Sequence, residues 1–298
     1  MSSAWDGLLN NQKVTELPHY AINKSLPADS YFTSGTTAQK CLNILYSLID
    51  PKAYRFIEPS AGSGVFYDML PENKIGIELH GRRDEFIKQD FLTWYPSTEE
   101  PTITVGNPPF GHRGAYALAF INRSLLFSDY VAFILPMSFH SNGKGSNMKR
   151  VSHGHLIHSQ VLEKETYISP DSGKEIKINT LFQVWKRGEG PCLFQDYNVS
   201  DIAEIYTVCS APDRLCGLNK LEQYDLFVAS SYFGNSLKSV TKFDDVKYGS
   251  GYGIILKDKS ILNKLLNIEW DDYAYLATNS CKHIRKYSIQ HCIHQLTN

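Results

Sequence analysis

The chain has 298 residues, of which 42% are hydrophobic and 20% charged, and its formal net charge is -1. These are ordinary values for a soluble globular protein, and they exclude a global basic field that would hold nucleic acid by charge alone. No apolar run approaches the roughly 20 residues of a membrane-crossing helix, so no membrane partner is expected.

In chain order, residues 1–30 are polar, are broken by Pro18 and Pro27, and read as an arm with Trp5, Leu8 and Leu9 as anchors. The start lacks both the basic and the long apolar segment of a leader peptide. The six cysteines form no CxxC pair, which suits free thiols in a reducing cytoplasm. The Thr/Ser cluster at 33–37 offers N-caps for a helix whose apolar positions recur at Cys41, Leu42, Leu45, Leu48 and Ile49, and Pro51 ends it. Tyr54–Ile57 reads as a short buried strand. It leads into Glu58-Pro59-Ser60-Ala61-Gly62-Ser63-Gly64 and the start of a helix, which is the first βα unit of a doubly wound sheet. Glycines there let a ligand lie against backbone, and a helix start offers unpaired N–H groups. A lone GxG turn is also compatible with a plain tight turn.

Ile75–Leu79 predicts a second strand, with Glu78 at its C-terminal end, where ribose-hydroxyl ligands sit in nucleotide-binding α/β folds. Phe86–Leu92 predicts a third unit with Asp90 and Phe91 at its tip, an acid and a ring suited to an adenine amine and an adenine face. Ile103–Val105 predicts a strand that ends in Asn107-Pro108-Pro109-Phe110. Proline fixes φ and removes a donor, so the carbonyls of this turn are free to accept hydrogen bonds. An amide, two prolines and a ring suit gripping a planar amino group. Tyr116–Leu126 predicts a helix, Tyr130–Pro136 a fully buried strand, Ser138–Ser146 a polar flap, and Asn179–Arg187 another strand. Gly188–Pro191 predicts a domain boundary. Beyond it, strands are expected at Tyr224–Ala229 and Tyr252–Lys257, a flexible aromatic loop at Lys247–Gly253, and a short helix at Lys259–Leu266.

The ordered set is distinctive. It runs Phe-Thr-Ser before a helix, Glu-Pro-Ser-Ala-Gly-Ser-Gly, an acid closing a second strand, Asp-Phe, Asn-Pro-Pro-Phe, Leu-Pro after a buried strand, and Phe-Gln-Val-Trp before a smaller C-terminal region. This resembles the gamma group of DNA adenine-N6 methyltransferases over residues 30–187. The resemblance implies a Rossmann-like S-adenosylmethionine methyltransferase sheet with helices on both faces, plus a smaller α+β recognition domain. The domains it implies are 1–187, catalytic, and 188–298, target-recognizing. The implied cofactor is S-adenosylmethionine. Thr33, Glu58, Ser60, Ala61, Gly62 and Gly64 would hold its methionine end, Glu78 its ribose, and Asp90 its adenine with Phe91 nearby. Asn107, Pro108, Pro109 and Phe110 would form the catalytic pocket, with Phe182 as second aromatic for a flipped base. Ser34 stands where the family commonly has proline, and Phe110 where tyrosine is more frequent.

The implied partner is double-stranded DNA with a short specific site, and a cognate restriction endonuclease is a further expected partner. The competing readings are an RNA adenine methyltransferase, a protein-glutamine methyltransferase, and a non-enzymatic binding module on the same fold. Neither His153, His155 and His158 nor the Cys281, His283, His291, Cys292 and His294 group has the spacing of a common zinc module, so no metal is expected. Lys144, Lys149 and Arg150, and in the tail Lys282, Arg285 and Lys286, are candidate phosphate contacts or simply solvated charges.

Overall fold

A computed structural model describes residues 31–97, 99–140, 146–169, 172–191, 193, 197–234, 236–276 and 281–298. The expected N-terminal arm and most of the expected flap lie outside these residues. The chain divides into two compact units after Leu193, with His140 grouped with the second.

The first unit runs β1 (Phe32–Thr33), α1 (Gly35–Leu48), β2 (Arg55–Glu58), α2 (Val65–Met69), β3 (Lys74–Gly76), β4 (Thr102–Gly106), α3 (Ala115–Ser124), β5 (Tyr130–Pro136), β6 (Gly154–Ile168) and β7 (Glu175–Arg187). These strands form one sheet in the order β1-β6-β7-β5-β4-β2-β3. β3, β2, β4 and β5 are parallel, and β7 runs antiparallel between β5 and β6. From β2 the chain steps outward to β3, then returns to β4 on the other side of β2. Strand order therefore reverses between β2 and β4, and in open α/β sheets ligands bind at the carboxyl ends flanking such a reversal. Those ends carry Glu58 and Gly106-Asn107.

Strand alternation builds the two faces. Ile103 and Val105 of β4 pack with Phe56, Ala132, Ile134 and Val184 against Cys41, Leu42 and Leu45 of α1. Thr104, out of phase with them, reaches the opposite face, where its hydroxyl lies 2.6 Å from that of Ser128, just past α3. Ser34 caps α1 by accepting from the Thr37 N–H at 3.3 Å.

Two expectations for this unit are corrected. Residues 86–92 form no strand or helix. Only a single parallel bridge, Ile77 to Ile87, continues the sheet there, and Asp90 instead starts a turn by accepting from Leu92 N–H at 2.9 Å. Residues 154–168, for which no strand or helix is expected, form the fifteen-residue strand β6. Irregularities at Leu156/His158 and Leu162/Glu165 break the period of two that would mark a strand in sequence.

The second unit contains β8 (Ala203–Cys209), β9 (Leu226–Ala229), β10 (Ser231–Phe233), β11 (Ser250–Leu256), α4 (Leu262–Asn267), β12 (Tyr275–Leu276), β13 (Cys281–His283) and α5 (Lys286–Thr297). The strands form two antiparallel three-stranded sheets, β8-β11-β9 and β10-β13-β12. Leu226, Val228, Ile254, Leu265, Trp270, Ile289 and Cys292 share its core. Trp270 satisfies its indole N–H on the Ser239 hydroxyl at 2.9 Å. The expected flexible loop at 247–253 is corrected: its second half is the start of β11, paired on both sides.

The basic residues of the tail are engaged within this unit. Lys282 pairs with Asp271 at 2.8 Å, Arg285 donates to the Tyr275 hydroxyl at 2.6 Å, and Lys286 donates to the Ile205 carbonyl at 2.9 Å. Cys292 is buried in the core, while His291 and His294 lie against the Tyr197 ring at 4.7 and 4.9 Å. Among the described residues no group of His, Cys, Asp or Glu side chains is arranged to hold a metal ion, and no helix is long and apolar enough to cross a membrane.

Candidate active site

The site is built at the strand reversal. After β2 the chain turns through Pro59–Gly64, with Gly62 at φ +55° and Gly64 at φ +87°, backbone angles that L side chains adopt at a cost. A Cβ on Gly62 would lie 3.2 Å from the Phe32 ring, and one on Gly64 only 2.5 Å from the Arg83 guanidinium. The loop is pinned from three directions. Ala61 N–H donates to the Ile77 carbonyl and Gly64 N–H to the Ala61 carbonyl, at 2.9 and 2.7 Å. Gly62 N–H donates to Glu78 Oε2 at 2.8 Å. The other Glu78 oxygen accepts from His80 N–H at 3.3 Å, with Arg82 at 3.9 Å.

A cavity of about 330 Å³ opens beside this loop, within the range of small-molecule sites. Ser60, Gly62, Glu78, Asp90 and Phe91 line one part of it, and Asn107, Pro108, Pro109 and Phe110 another. The structure thus brings nine of the expected site residues to one cavity. Phe91 is buried, with its ring 5.1 Å from that of Phe120. Phe32, Tyr116, Tyr167, Ile178 and Thr180 also line the cavity, and none of these was read from sequence. Phe32 was legible as the neighbour of Thr33. Tyr167 lies on the unread strand β6, where its hydroxyl is 2.6 Å from that of Thr180.

Five expected residues lie behind the wall rather than in it, and each has a physical reason. Glu58 is buried and turns back into the fold: its Oε2 accepts from Tyr67 N–H at 2.8 Å, bracing the glycine loop from below. The same bond occupies one of the first-turn amides of α2, which is only five residues long. Ala61 and Gly64 face the loop's own hydrogen bonds. Thr33 contacts Asn107 instead of the open cavity. Phe182 is fully buried in the sheet core with Leu162 and Val184 and pairs with Ile134 of β5, so it offers no free face to a base. Truncating Phe182 to alanine is therefore expected to lower unfolding stability by about 3–5 kcal/mol, read by urea denaturation, while folded protein keeps its response to 2-aminopurine DNA. A selective loss of that response with unchanged stability would restore the base-stacking role.

Burial raises the Glu58 carboxyl well above its usual range, while the Tyr67 N–H opposes the shift. The folded pKa thus lies above the unfolded one. This group's contribution is fully present below the unfolded pKa and is lost as pH rises through the folded value. Glu58→Gln keeps an oxygen for Tyr67 and cannot ionize. Its denaturation midpoint is expected to match wild type in acid and to exceed it at alkaline pH. Identical pH profiles would contradict the assignment.

Asn107 is the centre of the site. Its Nδ2 donates to Thr33 Oγ1 at 3.1 Å and to the Tyr31 carbonyl at 3.3 Å. A backbone carbonyl only accepts, so the amide is oriented with nitrogen toward β1 and oxygen away from it. That oxygen is buried and has no hydrogen-bond partner among the described residues. The Pro108 carbonyl likewise accepts from no described residue. An unpaired buried acceptor costs roughly 1–3 kcal/mol.

The sheet order, with parallel strands β3-β2-β4-β5 and the reversed β7 inserted before β6, defines a Rossmann-like α/β fold. No protein-family model matches the chain, and no curated protein matches it. Solved structures give distant likenesses. One is a Pyrococcus horikoshii protein named provisionally as an RNA methyltransferase, at 17% identity and TM-score 0.42, covering 59% of this chain and 95% of that one. A Thermoplasma acidophilum protein matches at 16% identity and TM-score 0.40, covering 56% and 93%. Magnesium protoporphyrin IX methyltransferase from Synechocystis, solved with its bound cofactor, matches at 8% identity and TM-score 0.35, covering 51% and 79%. At such scores likeness adds nothing to what the strand order gives.

Proposed function

We propose that this chain is an S-adenosylmethionine-dependent DNA methyltransferase that modifies N6 of an adenine turned out of a short specific duplex site, in the role of a modification enzyme with a cognate restriction endonuclease as partner. The observation that carries this reading is Asn107, whose buried Oδ1 has no hydrogen-bond partner among the described residues, in the wall of a cavity shared with a glycine loop and a strand-end carboxylate.

The residues present fit the cofactor. Gly62, whose positive φ and closeness to the Phe32 ring disfavour a side chain, presents backbone to the cavity. Glu78 offers a carboxylate for ribose hydroxyls, and Asp90 an acceptor for an adenine amine. Bound here, S-adenosylmethionine supplies an electrophilic methyl group. The protein's own work is on the nucleophile. The N6 lone pair of adenine is delocalized into the ring, so the amine is weakly nucleophilic. Asn107 Oδ1 and the Pro108 carbonyl each accept one N–H of that amine, which pulls the nitrogen toward tetrahedral geometry and localizes its lone pair. Positive charge would grow on nitrogen as its bond to the methyl forms and the sulfur–methyl bond breaks to leave a neutral thioether, so these fixed acceptors would stabilize the transition state more than the ground state. The surplus proton then leaves to water, and no strong general base is needed. Phe110 covers one face of the ring, and such stacking contributes about 1–3 kcal/mol toward the few kcal/mol of unstacking.

The pocket chemistry suits any planar primary amide or aromatic amine. DNA is favoured over RNA or a protein glutamine by the order of the motifs and by the separate unit that follows Leu193. Methylation-aware sequencing of DNA from cells expressing the chain tests this. N6-methyladenine at one short recurring motif is expected, and methylation confined to RNA or protein would overturn the substrate assignment.

A further inference from the structure

We infer that Thr33 is a positioning residue for catalysis: its hydroxyl holds the Asn107 amide in the orientation that presents oxygen to the reacting amine. This rests on the function proposed above and adds to it a role for a residue that touches neither the reacting atoms nor the cavity.

A side-chain amide has nearly the same shape in its two flipped orientations, and its terminal torsion is broad and close to two-fold. One orientation presents an acceptor to the cavity. The other presents two N–H donors, which would face the donors of an incoming amine and repel them. The selection is made outside the cavity. Nδ2 bonds Thr33 Oγ1 at 3.1 Å and Tyr31 O at 3.3 Å, and the opposite atom, Oδ1, has no partner among the described residues.

The Thr33 hydroxyl is held in place from several sides. β1 pairs antiparallel with β6, setting Thr33 opposite Tyr167. Ser34 N–H donates to the Thr166 carbonyl at 3.3 Å while the Ser34 hydroxyl caps α1. Thr33 itself is 5% exposed, so water does not compete for its hydroxyl. The two-residue strand β1 thus has a chemical consequence: it fixes a hydroxyl 74 positions away in sequence against the Asn107 amide.

Thr33→Val keeps the shape and removes the acceptor, and Thr33→Ser keeps the acceptor. In the full-length protein, T33V is expected to lower kcat by about tenfold, with KM for DNA and the dissociation constant for S-adenosylmethionine each within about twofold of wild type. T33S restores kcat. A cofactor affinity that falls as far as kcat would overturn the inference in favour of direct cofactor contact, and an unchanged kcat would overturn it outright. A second readout needs no substrate. The Asn107 side-chain NH2 protons, assigned by their absence in Asn107→Ala, are expected to exchange slowly in wild type and T33S and quickly in T33V. Equal exchange in all three would contradict the inference. Should wild type methylate no DNA, the substrate proposal fails, and this exchange measurement still decides the role of Thr33.

Discussion

Asn107→Ala is expected to reduce methyl transfer by about a thousandfold, while the dissociation constant for S-adenosylmethionine stays within about threefold of wild type. The separation of the two effects follows from the geometry. The glycine loop is held by Ile77, Ala61 and Glu78, and none of those bonds involves the Asn107 side chain. What alanine removes is the Oδ1 acceptor, together with the two bonds Nδ2 makes to Thr33 and Tyr31. An acceptor whose interaction strengthens as charge develops lowers kcat and kcat/KM together when deleted. Single-turnover transfer of labelled methyl to saturating DNA, beside calorimetric titration with the cofactor, reads both quantities. Retained transfer would remove Asn107 from the mechanism, and a parallel collapse of cofactor binding would recast it as a cofactor ligand.

The opposite pattern is expected for Glu78→Ala, with cofactor affinity lowered about 100-fold. Glu78 has two tasks. Its Oε2 accepts from Gly62 N–H at 2.8 Å and so sets the loop, and as a cavity-lining carboxylate it is the group proposed for a pair of ribose hydroxyls. Hydrogen bonds to charged groups contribute about 1.5–3 kcal/mol each, and about 1.4 kcal/mol is a factor of ten in affinity, so losing the carboxylate accounts for the expected drop. At saturating cofactor kcat should recover most of its wild-type value, because Asn107 and Pro108 are untouched. Titration calorimetry with the cofactor product, which avoids turnover, checks the affinity. An unchanged affinity would show that the ribose is held elsewhere.

The parts of this site that were legible in sequence are those in which chemistry and position coincide over a few residues. The apolar run 130–136 became β5 with the expected bounds, because a strand buried on both faces needs apolar side chains throughout. The loop from Pro59 to Gly64 and the turn from Asn107 to Phe110 both lie at strand ends, where their composition only makes sense against a ligand or a tight turn. What sequence hid is decided by contacts between distant residues. An acid closing β2 reads the same whether it faces a ligand or braces a loop, and the Tyr67 N–H chose the second for Glu58. Phe182 stands in a stretch of β7 that is buried on both faces, 179 to 185, so period-two alternation could not tell a cavity wall from a core. β6 carries polar residues and two irregularities, and with it Tyr167 went unread. The Thr33–Asn107 bond joins two elements that are far apart in the chain, and no local pattern announces it.

One measurement tests the central claim most directly. The purified chain is incubated with S-adenosylmethionine bearing a trideuterated methyl group and with double-stranded DNA of mixed sequence, and the DNA is digested to nucleosides for mass spectrometry. Trideuterated N6-methyladenine that disappears with Asn107→Ala is the predicted result. Label appearing only in another base, or only in RNA or protein glutamine supplied alongside, would contradict it.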